Sequence, residues 1–272
     1  MAWWACGTPY DGRYGASVTA TDVNDLTDRL QKAWASGEAL GLLGEPARAL
    51  RDTPHDQPSI TNNPYWEAVR LLPVSTMLDI YDGDPHAPVR VEWILRESLV
   101  DGPAMVVRQI LTRTYAWSIP TPGDLTWIKN RLRSQAVVEI GAGTGYWAWQ
   151  LRQVGLNVVA YDANAAGPNE YCEAIQYHPV RLGGPADAAD HPDRALLLCW
   201  PPRRRDVAAE ALAAYRGDEL IYIGGFDSAV MASTSFFRAL EQGWTEVGAS
   251  GHHVTFDMIH DHVTYWRRND AC

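Results

Sequence analysis

Apolar and polar residues follow two different periodicities along this chain, and the change comes near residue 115. From there on, short apolar runs rich in β-branched residues alternate with segments in which apolar residues recur at helical spacing. The runs have the composition of strands that are buried on both faces, and they cover 136–140, 156–161, 179–182, 194–199 and 219–225. Helices are predicted between them, over 146–153, 166–176, 206–215 and 233–241. This alternation predicts an α/β domain with a mostly parallel sheet.

The first 114 residues show helical spacing and no strong strand alternation. Val23, Leu26, Leu30 and Trp34 mark one helix, which Gly37 ends. Further helices are predicted over 45–50, 65–72, 89–99 and 103–114. We therefore expect residues 1–114 to form a mostly helical N-terminal cap that shapes substrate choice, beside a domain formed by residues 115–272.

The first predicted strand runs directly into a glycine-rich turn, Glu139-x-Gly141-x-Gly143-x-Gly145, before a helix that begins at Tyr146. Glycines let the backbone adopt positive φ and approach a ligand closely, and a helix N-terminus adds unpaired N–H groups. A dinucleotide-binding turn requires a small residue where Tyr146 stands, and tyrosine is too large for that role. A phosphate-binding loop requires a lysine after the glycines, and none follows.

The turn resembles motif I of the class I methyltransferases that use S-adenosylmethionine (SAM). In that family the glycine turn passes beneath the amino-acid part of the cofactor, which carries no phosphate. The resemblance covers roughly residues 115–268, and it implies a Rossmann-like seven-stranded sheet with SAM as the cofactor. It places SAM against one stretch of the chain: Glu139, Gly141, Ala142, Gly143, Thr144, Gly145, Tyr146 and Trp147.

Other parts of the domain extend this resemblance. Asp162 ends the second strand, about twenty positions after Gly141, where a carboxylate can accept hydrogen bonds from both hydroxyls of a ribose. Ala163 follows it and belongs to the same expected contact. Asp187 lies in a turn where the family often contacts adenine. Two late strands, near 244–249 and 262–267, are expected to form the terminal antiparallel pair that separates these methyltransferases from dinucleotide-binding domains.

The sequence Cys199-Trp200-Pro201-Pro202 follows the fourth strand. It resembles motif IV of amino-methyltransferases, in which Asp, Asn or Ser precedes two prolines and holds the hydrogens of an amine. Trp200 stands at that position and offers only an N–H donor, so methylation of adenine N6 or glutamine by that mechanism is disfavoured. We expect Cys199, Trp200 and Pro201 to line the cofactor site. Trp200 is also a predicted catalytic residue, as a wall that stacks on a planar substrate or faces the sulfonium methyl.

An aromatic segment stiffened by two prolines precedes the last helix before the first strand. The equivalent region of the family often closes over SAM, so Tyr115, Trp117 and Ser118 are candidate contacts. The alternative is an aromatic hinge that packs the cap against the domain. A hydroxyl or amine acceptor can need a base, and Tyr115 and His178 are the predicted catalytic residues for that role, with His191 as the alternative to His178.

Composition restricts the remaining possibilities. The formal net charge of −10 disfavours a general nucleic-acid binder. No apolar run approaches the roughly twenty residues that span a bilayer, the N-terminus lacks a signal peptide, and the four cysteines are scattered, which together predict a cytoplasmic protein with reduced thiols. The histidine-rich stretch over 252–262 could bind a metal, but surface histidines are favoured and no metal is predicted. Arg203–Arg205 either pair with an anionic substrate or form a solvated helix start.

The leading hypothesis is therefore a SAM-dependent methyltransferase that acts on a small molecule. One alternative is an acceptor that is a peptide, protein or RNA, docked by the cap. A second is a non-catalytic SAM-binding regulatory subunit. The third is an NAD-dependent oxidoreductase, whose cofactor Tyr146 should obstruct.

Overall fold

The fold is known from a computed structural model, which describes residues 63–66, 74–79, 90–95, 111–165, 171–172, 176–203, 205–226, 231–256, 259 and 261–269. Short helical segments are present over 64–66 and 111–114. The longer elements are, in chain order, β1 (Val74–Asp79), β2 (Arg90–Leu95), α1 (Pro122–Arg131), β3 (Ala136–Ile140), α2 (Tyr146–Gln153), β4 (Asn157–Asp162), β5 (Val180–Leu182), a 3₁₀ helix (Pro185–Asp190), β6 (Ala195–Cys199), α3 (Val207–Ala214), β7 (Glu219–Gly224), α4 (Thr234–Gly243), β8 (Trp244–Ala249), β9 (Val254–Phe256) and β10 (His262–Arg268).

Seven of these strands form one mixed sheet, in the order β5-β4-β3-β6-β7-β10-β8. The strands from β3 to β7 pair in parallel, whereas β10 runs antiparallel to both β7 and β8. The predicted alternation of strands and helices is confirmed, and so is the antiparallel pairing of the two late strands. The parallel strands all end at one side of the sheet, which we call the carboxyl edge. Ligands of open α/β sheets bind outside such an edge.

A smaller sheet corrects the prediction for the N-terminal region. Here β1 pairs antiparallel with β2, and β2 pairs in parallel with β9, which comes from the far end of the chain. The predicted helix over 89–99 is therefore wrong across 90–95. Valine, tryptophan and isoleucine are common there and favour strands, and a partner from 254–256 is invisible to local periodicity. The other predicted elements of the cap lie outside the described residues, apart from the helical segments over 64–66 and 111–114.

The helix predicted over 166–176 is not present where the structure describes that stretch. Tyr171, Cys172 and Gln176 are all non-helical, and the remaining residues of the stretch lie outside the described ranges. Tyr171 instead approaches the aromatic segment before α1, where it contacts the ring of Trp117. A tertiary contact of this kind overrides the weak preference of a short apolar pattern.

Two layers of buried side chains cover the faces of the seven-stranded sheet. Val137 and Leu151 belong to the layer under α1 and α2, and Val138 and Leu212 belong to the layer under α3 and α4. Neighbouring residues of a strand point to opposite faces, so β3 contributes to both layers. Each fully buried side chain of this size contributes about 1.5–3 kcal/mol to stability. The sheet is thus a firm base for the loops at its carboxyl edge.

The helices that flank the sheet begin at residues whose side chains cap them. Thr121 accepts a hydrogen bond from the backbone N–H of Asp124 at 3.0 Å, and the carboxylate of Asp124 accepts one from the backbone of Thr121, which completes a capping box for α1. Ser233 caps α4 by accepting from the N–H of Phe236 at 3.3 Å. Within the part of the chain that the structure describes, every helix is too short or too polar to cross a membrane.

Candidate functional site

The glycine turn lies at the carboxyl edge, between β3 and α2. Its three glycines have positive φ, 80° at Gly141, 53° at Gly143 and 71° at Gly145, which other residues adopt only with strain. Gly141 and Ala142 donate their backbone N–H groups to the carbonyl of Tyr161, at 2.8 and 3.0 Å. A Cβ atom added at Gly141 or Gly143 would meet no atom of the described residues within 4 Å. Backbone conformation therefore requires these two glycines, and no described residue fills the space next to them.

The third glycine and its neighbour hold the turn in place. A Cβ atom at Gly145 would lie 3.0 Å from the carbonyl oxygen of His178, so this position is crowded. Thr144 is buried, its hydroxyl donates to the carbonyl of Tyr115, and its own carbonyl accepts from the N–H of Tyr177 at 2.9 Å. Gly145 and Thr144 thus anchor the turn to the surrounding chain.

Asp162 ends β4 directly beside the turn. Its Oδ2 accepts a hydrogen bond from the N–H of Gly143 at 2.9 Å, and its Oδ1 accepts one from the N–H of Asn164 at 2.8 Å. Each carboxylate oxygen has a second lone pair, so the side chain can still accept from a ligand hydroxyl. Asp162 therefore orders the glycine turn, a role that the sequence did not predict, in addition to being a candidate ligand contact. Ala163, which follows it, is exposed.

Glu139 lies beneath the turn and is only 2 % exposed. Its carboxyl group accepts a hydrogen bond from the backbone N–H of Ala148 in the first turn of α2, while its Oε2 has no hydrogen-bond partner among the described residues. Burial, and then the negative charge of Asp162, raise the pKa of Glu139 from 4.5 to about 8, although the Ala148 bond lowers it. Glu139 therefore holds a proton at neutral pH in this structure.

The turn after β6 brings Trp200 to the carboxyl edge. Its φ is 48°, which is uncommon for a bulky residue, and its N–H donates to the carbonyl of Ile223 at 2.8 Å. The indole Nε1–H donates to Oδ2 of Asp261 at 2.9 Å. The next residue, Pro201, accepts a hydrogen bond from the N–H of Ala232 at 2.9 Å. Trp200 is thus held through both its backbone and its ring.

Two further aromatic residues lie next to Trp200. The ring centroid of Trp117 is 5.7 Å from that of Trp200, with 35° between the planes. Tyr171 lies edge-on to Trp117 at 6.2 Å, and its carbonyl accepts from Nε1–H of Trp117 at 2.9 Å. The two tryptophans are half-buried and Tyr171 is exposed. We call Trp117, Tyr171 and Trp200 the aromatic corner, and two of its members were predicted from separate motifs.

Cys199 ends β6 between this corner and the glycine turn. Burial, followed by the negative charges of Glu139 and Asp261, raises the pKa of the Cys199 thiol well above its usual range. A thiol with a raised pKa is a poorer nucleophile at neutral pH than one with an ordinary pKa.

Tyr115 and Tyr146 lie in a buried cluster of tyrosines. Tyr115 stacks on Tyr65 with centroids 5.0 Å apart, and its ring is 5.1 Å from that of Tyr146. The Tyr146 hydroxyl donates to Oδ1 of Asn63 at 2.7 Å and accepts from the N–H of Tyr65 at 2.9 Å. With 2 % and 0 % exposure, neither Tyr115 nor Tyr146 presents its ring to the open space above the glycines. These side chains join the segment 63–66 to the sheet domain, as the hinge alternative expected of Tyr115.

A buried ionic network lies behind Trp200. Nδ1 of His253 is 2.8 Å from Oδ2 of Asp124, and Nε2 is 3.2 Å from Oγ of Ser118 and 3.5 Å from Oδ1 of Asp261. The sequence placed His253 and Asp261 in a possible metal-binding stretch, but it gave no sign that Asp124, more than a hundred residues away, joins them. Among the residues that the structure describes, no group of three candidate metal ligands occurs.

The structure does not bring His178 to the aromatic corner. Its imidazole hydrogen-bonds the backbone of Val158, which lies four residues before Asp162 on β4 and so about 13 Å along the strand. Burial, and then the positive charge of Arg152, lower the pKa of His178 to about 4. A residue in this place is poorly positioned to act as a base at the carboxyl edge.

Asp187 and His191 also have partners of their own. Oδ2 of Asp187 accepts from the N–H of Gly184 at 2.7 Å, which caps the 3₁₀ helix. Nε2 of His191 lies 3.1 Å from the hydroxyl of Tyr161. Both residues therefore stabilise the loop after β5, on the far side of the glycine turn from Trp200.

Two apolar residues near the site, Trp147 and Leu182, differ in their exposure. Trp147 is 1 % exposed, and its Nε1–H donates to the carbonyl of Ser118 at 3.2 Å, so its place is in the core beneath the site. Leu182, which the sequence analysis passed over, ends β5 at the carboxyl edge with 73 % of its surface exposed. Its signal in the sequence was an apolar strand end directly before two glycines, and it is a candidate for contact with an apolar part of a ligand.

The chain was compared with known proteins. It matches no protein-family model, and no curated protein matches its sequence. A solved structure concerned with the conversion of a disulfide bond into a thioacetal group during echinomycin biosynthesis is similar over 55 % of this chain and 82 % of that one, at 16 % identity and a TM-score of 0.36. A mutant of MtNAS is similar over 62 % of this chain and 65 % of that one, at 13 % identity and a TM-score of 0.34. At such TM-scores neither likeness bears on the activity of this chain.

Proposed function

We propose that this protein binds SAM at the glycine turn and transfers the methyl group to a small-molecule acceptor. The observation that carries the proposal is the open space above Gly141 and Gly143, directly beside the carboxylate of Asp162. The strand order, with antiparallel β10 between β7 and β8, supports a sheet of the class I methyltransferase type. In this proposal residues 115–272 form the SAM-binding domain, and residues 1–114 form the cap.

The residues around the turn fit a ligand with a cationic amino-acid end and a ribose. Asp162 keeps free lone pairs for ribose hydroxyls. Glu139 offers a buried Oε2 without a partner among the described residues, and a nearby cation would favour its ionised form. Gly141 and Gly143 leave room for close backbone approach. When bound, SAM supplies an activated methyl group whose carbon–sulfur bond breaks with its electron pair going to sulfur.

The protein's own contribution is then to position the acceptor. Trp117 and Trp200, whose ring centroids are 5.7 Å apart, give the acceptor a fixed aromatic surface at the carboxyl edge. Trp200 has no side-chain oxygen that could hold an amine, so the proposed reaction differs from that of amino-methyltransferases with Asp, Asn or Ser at this place. Neither Tyr115 nor His178 is placed as a base, and orientation is therefore the main catalytic factor in this proposal.

The positions of Tyr115 and His178, neither of which is placed as a base, favour a second candidate function. A chain that binds SAM, and in which neither Tyr115 nor His178 is placed as a base, could act as a non-catalytic SAM-binding subunit. The two functions share the glycine turn and Asp162, and they differ in whether a methyl group ever leaves the site. Transfer to an acceptor, rather than binding, therefore separates them.

The experiment is to incubate the full chain with SAM labelled in its methyl group, together with metabolite extract in one reaction and protein or RNA in others. We expect label to enter the small-molecule fraction. Label in the macromolecular fraction would instead support a peptide, protein or RNA acceptor. Binding of S-adenosylhomocysteine (SAH) without transfer to any fraction would support the non-catalytic subunit.

A matched pair of variants ties the result to the glycine turn. In Gly143→Ala the new Cβ atom would occupy the ligand space at a φ of 53°. In Gly155→Ala, between α2 and β4 and away from the carboxyl edge, it would lie 3.5 Å from Nζ of Lys129 at a φ of 91°, so both variants carry the strain of a positive φ. We expect the first variant to lose transfer and SAH binding and the second to keep both. Equal activity of the two variants would refute the placement of SAM above the glycines.

A further inference from the structure

The ionic network behind Trp200 has the atoms of a Ser–His–Asp triad. Ser118 Oγ is 3.2 Å from Nε2 of His253, and Nδ1 is 2.8 Å from Oδ2 of Asp124. A triad histidine must accept the proton of the serine, which requires an unprotonated Nε2. Here Asp261 also lies near Nε2, with Oδ1 at 3.5 Å. The carboxylate of Asp124 beside Nδ1 and that of Asp261 beside Nε2 both favour the protonated imidazole, and a protonated His253 cannot accept the proton of Ser118.

The electrostatics of His253 agree with this geometry. Burial disfavours its charge, but the charges and hydrogen bonds of Asp124 and Asp261 outweigh burial and raise its pKa to about 10. His253 is 4 % exposed, Asp261 is 2 % exposed and Asp124 is fully buried. Among the described residues, the two carboxylates and the one imidazolium together carry a net negative charge in the protein interior. A buried charge is screened far less than one on the surface.

This negative charge extends toward the carboxyl edge. Burial, then Glu139 and then Asp261 raise the pKa of Cys199, and burial, then Cys199 and then Asp261 raise that of Tyr222. Its Oδ2 accepts from the indole Nε1–H of Trp200 at 2.9 Å. An N–H that donates to a carboxylate leaves more electron density on the indole ring, and tryptophan is the aromatic residue that binds cations best. Trp200 therefore offers a negatively polarised ring at the candidate site.

The aromatic corner provides flat ring surfaces next to this negative charge. Trp117 lies 5.7 Å from Trp200, and Tyr171 lies edge-on to Trp117 at 6.2 Å. The centroids of the two tryptophans are too close together for a ring to enter between them, so a ligand would contact the exposed parts of these half-buried rings. Arg203 and Arg205 follow Pro202 in the chain, and both are exposed, so solvent screens their positive charges.

We propose that the aromatic corner is the acceptor subsite, and that with the buried Asp124–His253–Asp261 network behind it the corner selects a planar, cationic acceptor. The inference rests on the proposed methyltransferase function and names the substrate class of that site. The positive charge of the acceptor lies on its ring system, away from the atom that receives the methyl group, because that atom needs a free lone pair. An anionic acceptor held by Arg203 is the opposite expectation.

The test uses the full chain saturated with SAH and three flat bicyclic probes of similar size. N-methylquinolinium is cationic, quinoline is neutral and naphthoate is anionic at neutral pH. Calorimetric titration should show that N-methylquinolinium binds about tenfold more tightly than quinoline, a difference between those of an exposed and a desolvated cation–π contact, and that naphthoate binds more weakly than both. Equal affinities, preferred binding of naphthoate or no binding of any probe would overturn the proposal.

Variants separate the contribution of the buried charge from that of the rings. Asp261→Asn keeps an acceptor for the Trp200 N–H but removes the extra negative charge, so the preference for the cation over quinoline should fall by about threefold or more. The matched control is Asp218→Asn, an exposed aspartate paired with Arg133 at the opposite edge, which should keep the preference. Trp117→Leu is the second test if Asp261→Asn does not fold, and it should weaken binding of both aromatic probes.

The outcomes also separate this proposal from the function on which it rests. If SAH itself does not bind, the proposed methyltransferase function fails, whatever the probes do. If SAH binds and the probes show no preference for positive charge, only the substrate class is refuted. A preserved cation preference in Asp261→Asn would show that the network is merely structural and would refute its role in selection.

Discussion

Replacement of Glu139 by glutamine should stabilise the protein in alkaline solution. The carboxyl group is 2 % exposed, and its Oε2 has no hydrogen-bond partner among the described residues. Burial, followed by the charge of Asp162, raises its pKa from 4.5 to about 8. The folded protein therefore keeps a proton that the unfolded chain releases between these two pH values.

The sign and size of the effect follow from this difference. A group whose folded pKa is raised contributes its full stability below the unfolded pKa and loses it as pH rises through the folded pKa. As the pH rises from 4.5 to about 8, the free energy of unfolding of the wild-type protein falls by roughly 1.36 kcal/mol per pH unit because of Glu139, up to about 5 kcal/mol in all. Glutamine has nearly the same shape and no titration, so Glu139→Gln escapes this loss.

The assay is urea denaturation followed by tryptophan fluorescence, at about pH 5, 7 and 9. The difference in unfolding free energy between Glu139→Gln and wild type should grow from near zero at the acid end to several kcal/mol in favour of the variant at the alkaline end. The stabilising contribution of His253 is also lost at alkaline pH, but His253 is present in both proteins, so its contribution cancels in the difference. Glu210→Gln, on the exposed face of α3, is the matched control. Parallel pH profiles for wild type and Glu139→Gln would refute the buried, protonated carboxyl group.

Three further predictions concern the turn, the network and the tyrosine cluster. Asp162→Asn should weaken SAH binding by about tenfold or more in calorimetry, because it removes a charged acceptor, and unchanged affinity would contradict its role. His253→Gln should cost about 3–5 kcal/mol in urea denaturation at neutral pH, since it leaves two buried carboxylates unpaired. The stability that His253 contributes is fully present below pH 6.5 and is lost as pH rises through about 10, and a cost under about 1 kcal/mol would argue against the buried ion pairs. Tyr146→Phe removes the acceptor for the N–H of Tyr65 and should speed hydrogen exchange of that amide, whereas unchanged protection would show that this bond does not hold the segment.

The sequence predicted the parts of the fold that depend on local pattern. The strands from β3 to β7 and the helices α2, α3 and α4 were predicted from runs of apolar residues and from their spacing, because the periodic pattern that identifies each of them lies within the element itself. The strand β2 could not be predicted in this way. It pairs with β9, some 160 residues later, and only the folded chain brings the two together.

The residues of the candidate site also fall into those that local spacing predicts and those that it does not. Gly141, Gly143 and Asp162 were found because a strand, a turn and a helix place them at fixed spacing. Tyr115 and His178 were chosen for chemical type and nearness to the strand ends. The ring of Tyr115 instead stacks on Tyr65, and the imidazole of His178 hydrogen-bonds the backbone of Val158. The network of Asp124, His253 and Asp261 joins three separate segments and left no spacing in the sequence that could reveal it.

The most direct measurement is a calorimetric titration of the full chain with SAH, with NADH as the competing dinucleotide. The proposed SAM site at the glycine turn predicts saturable binding of one SAH per chain, and NADH should not affect this binding. It also predicts that this binding is lost in Gly143→Ala while far-ultraviolet circular dichroism stays unchanged. Absence of heat with SAH, or its displacement by NADH, would contradict the account.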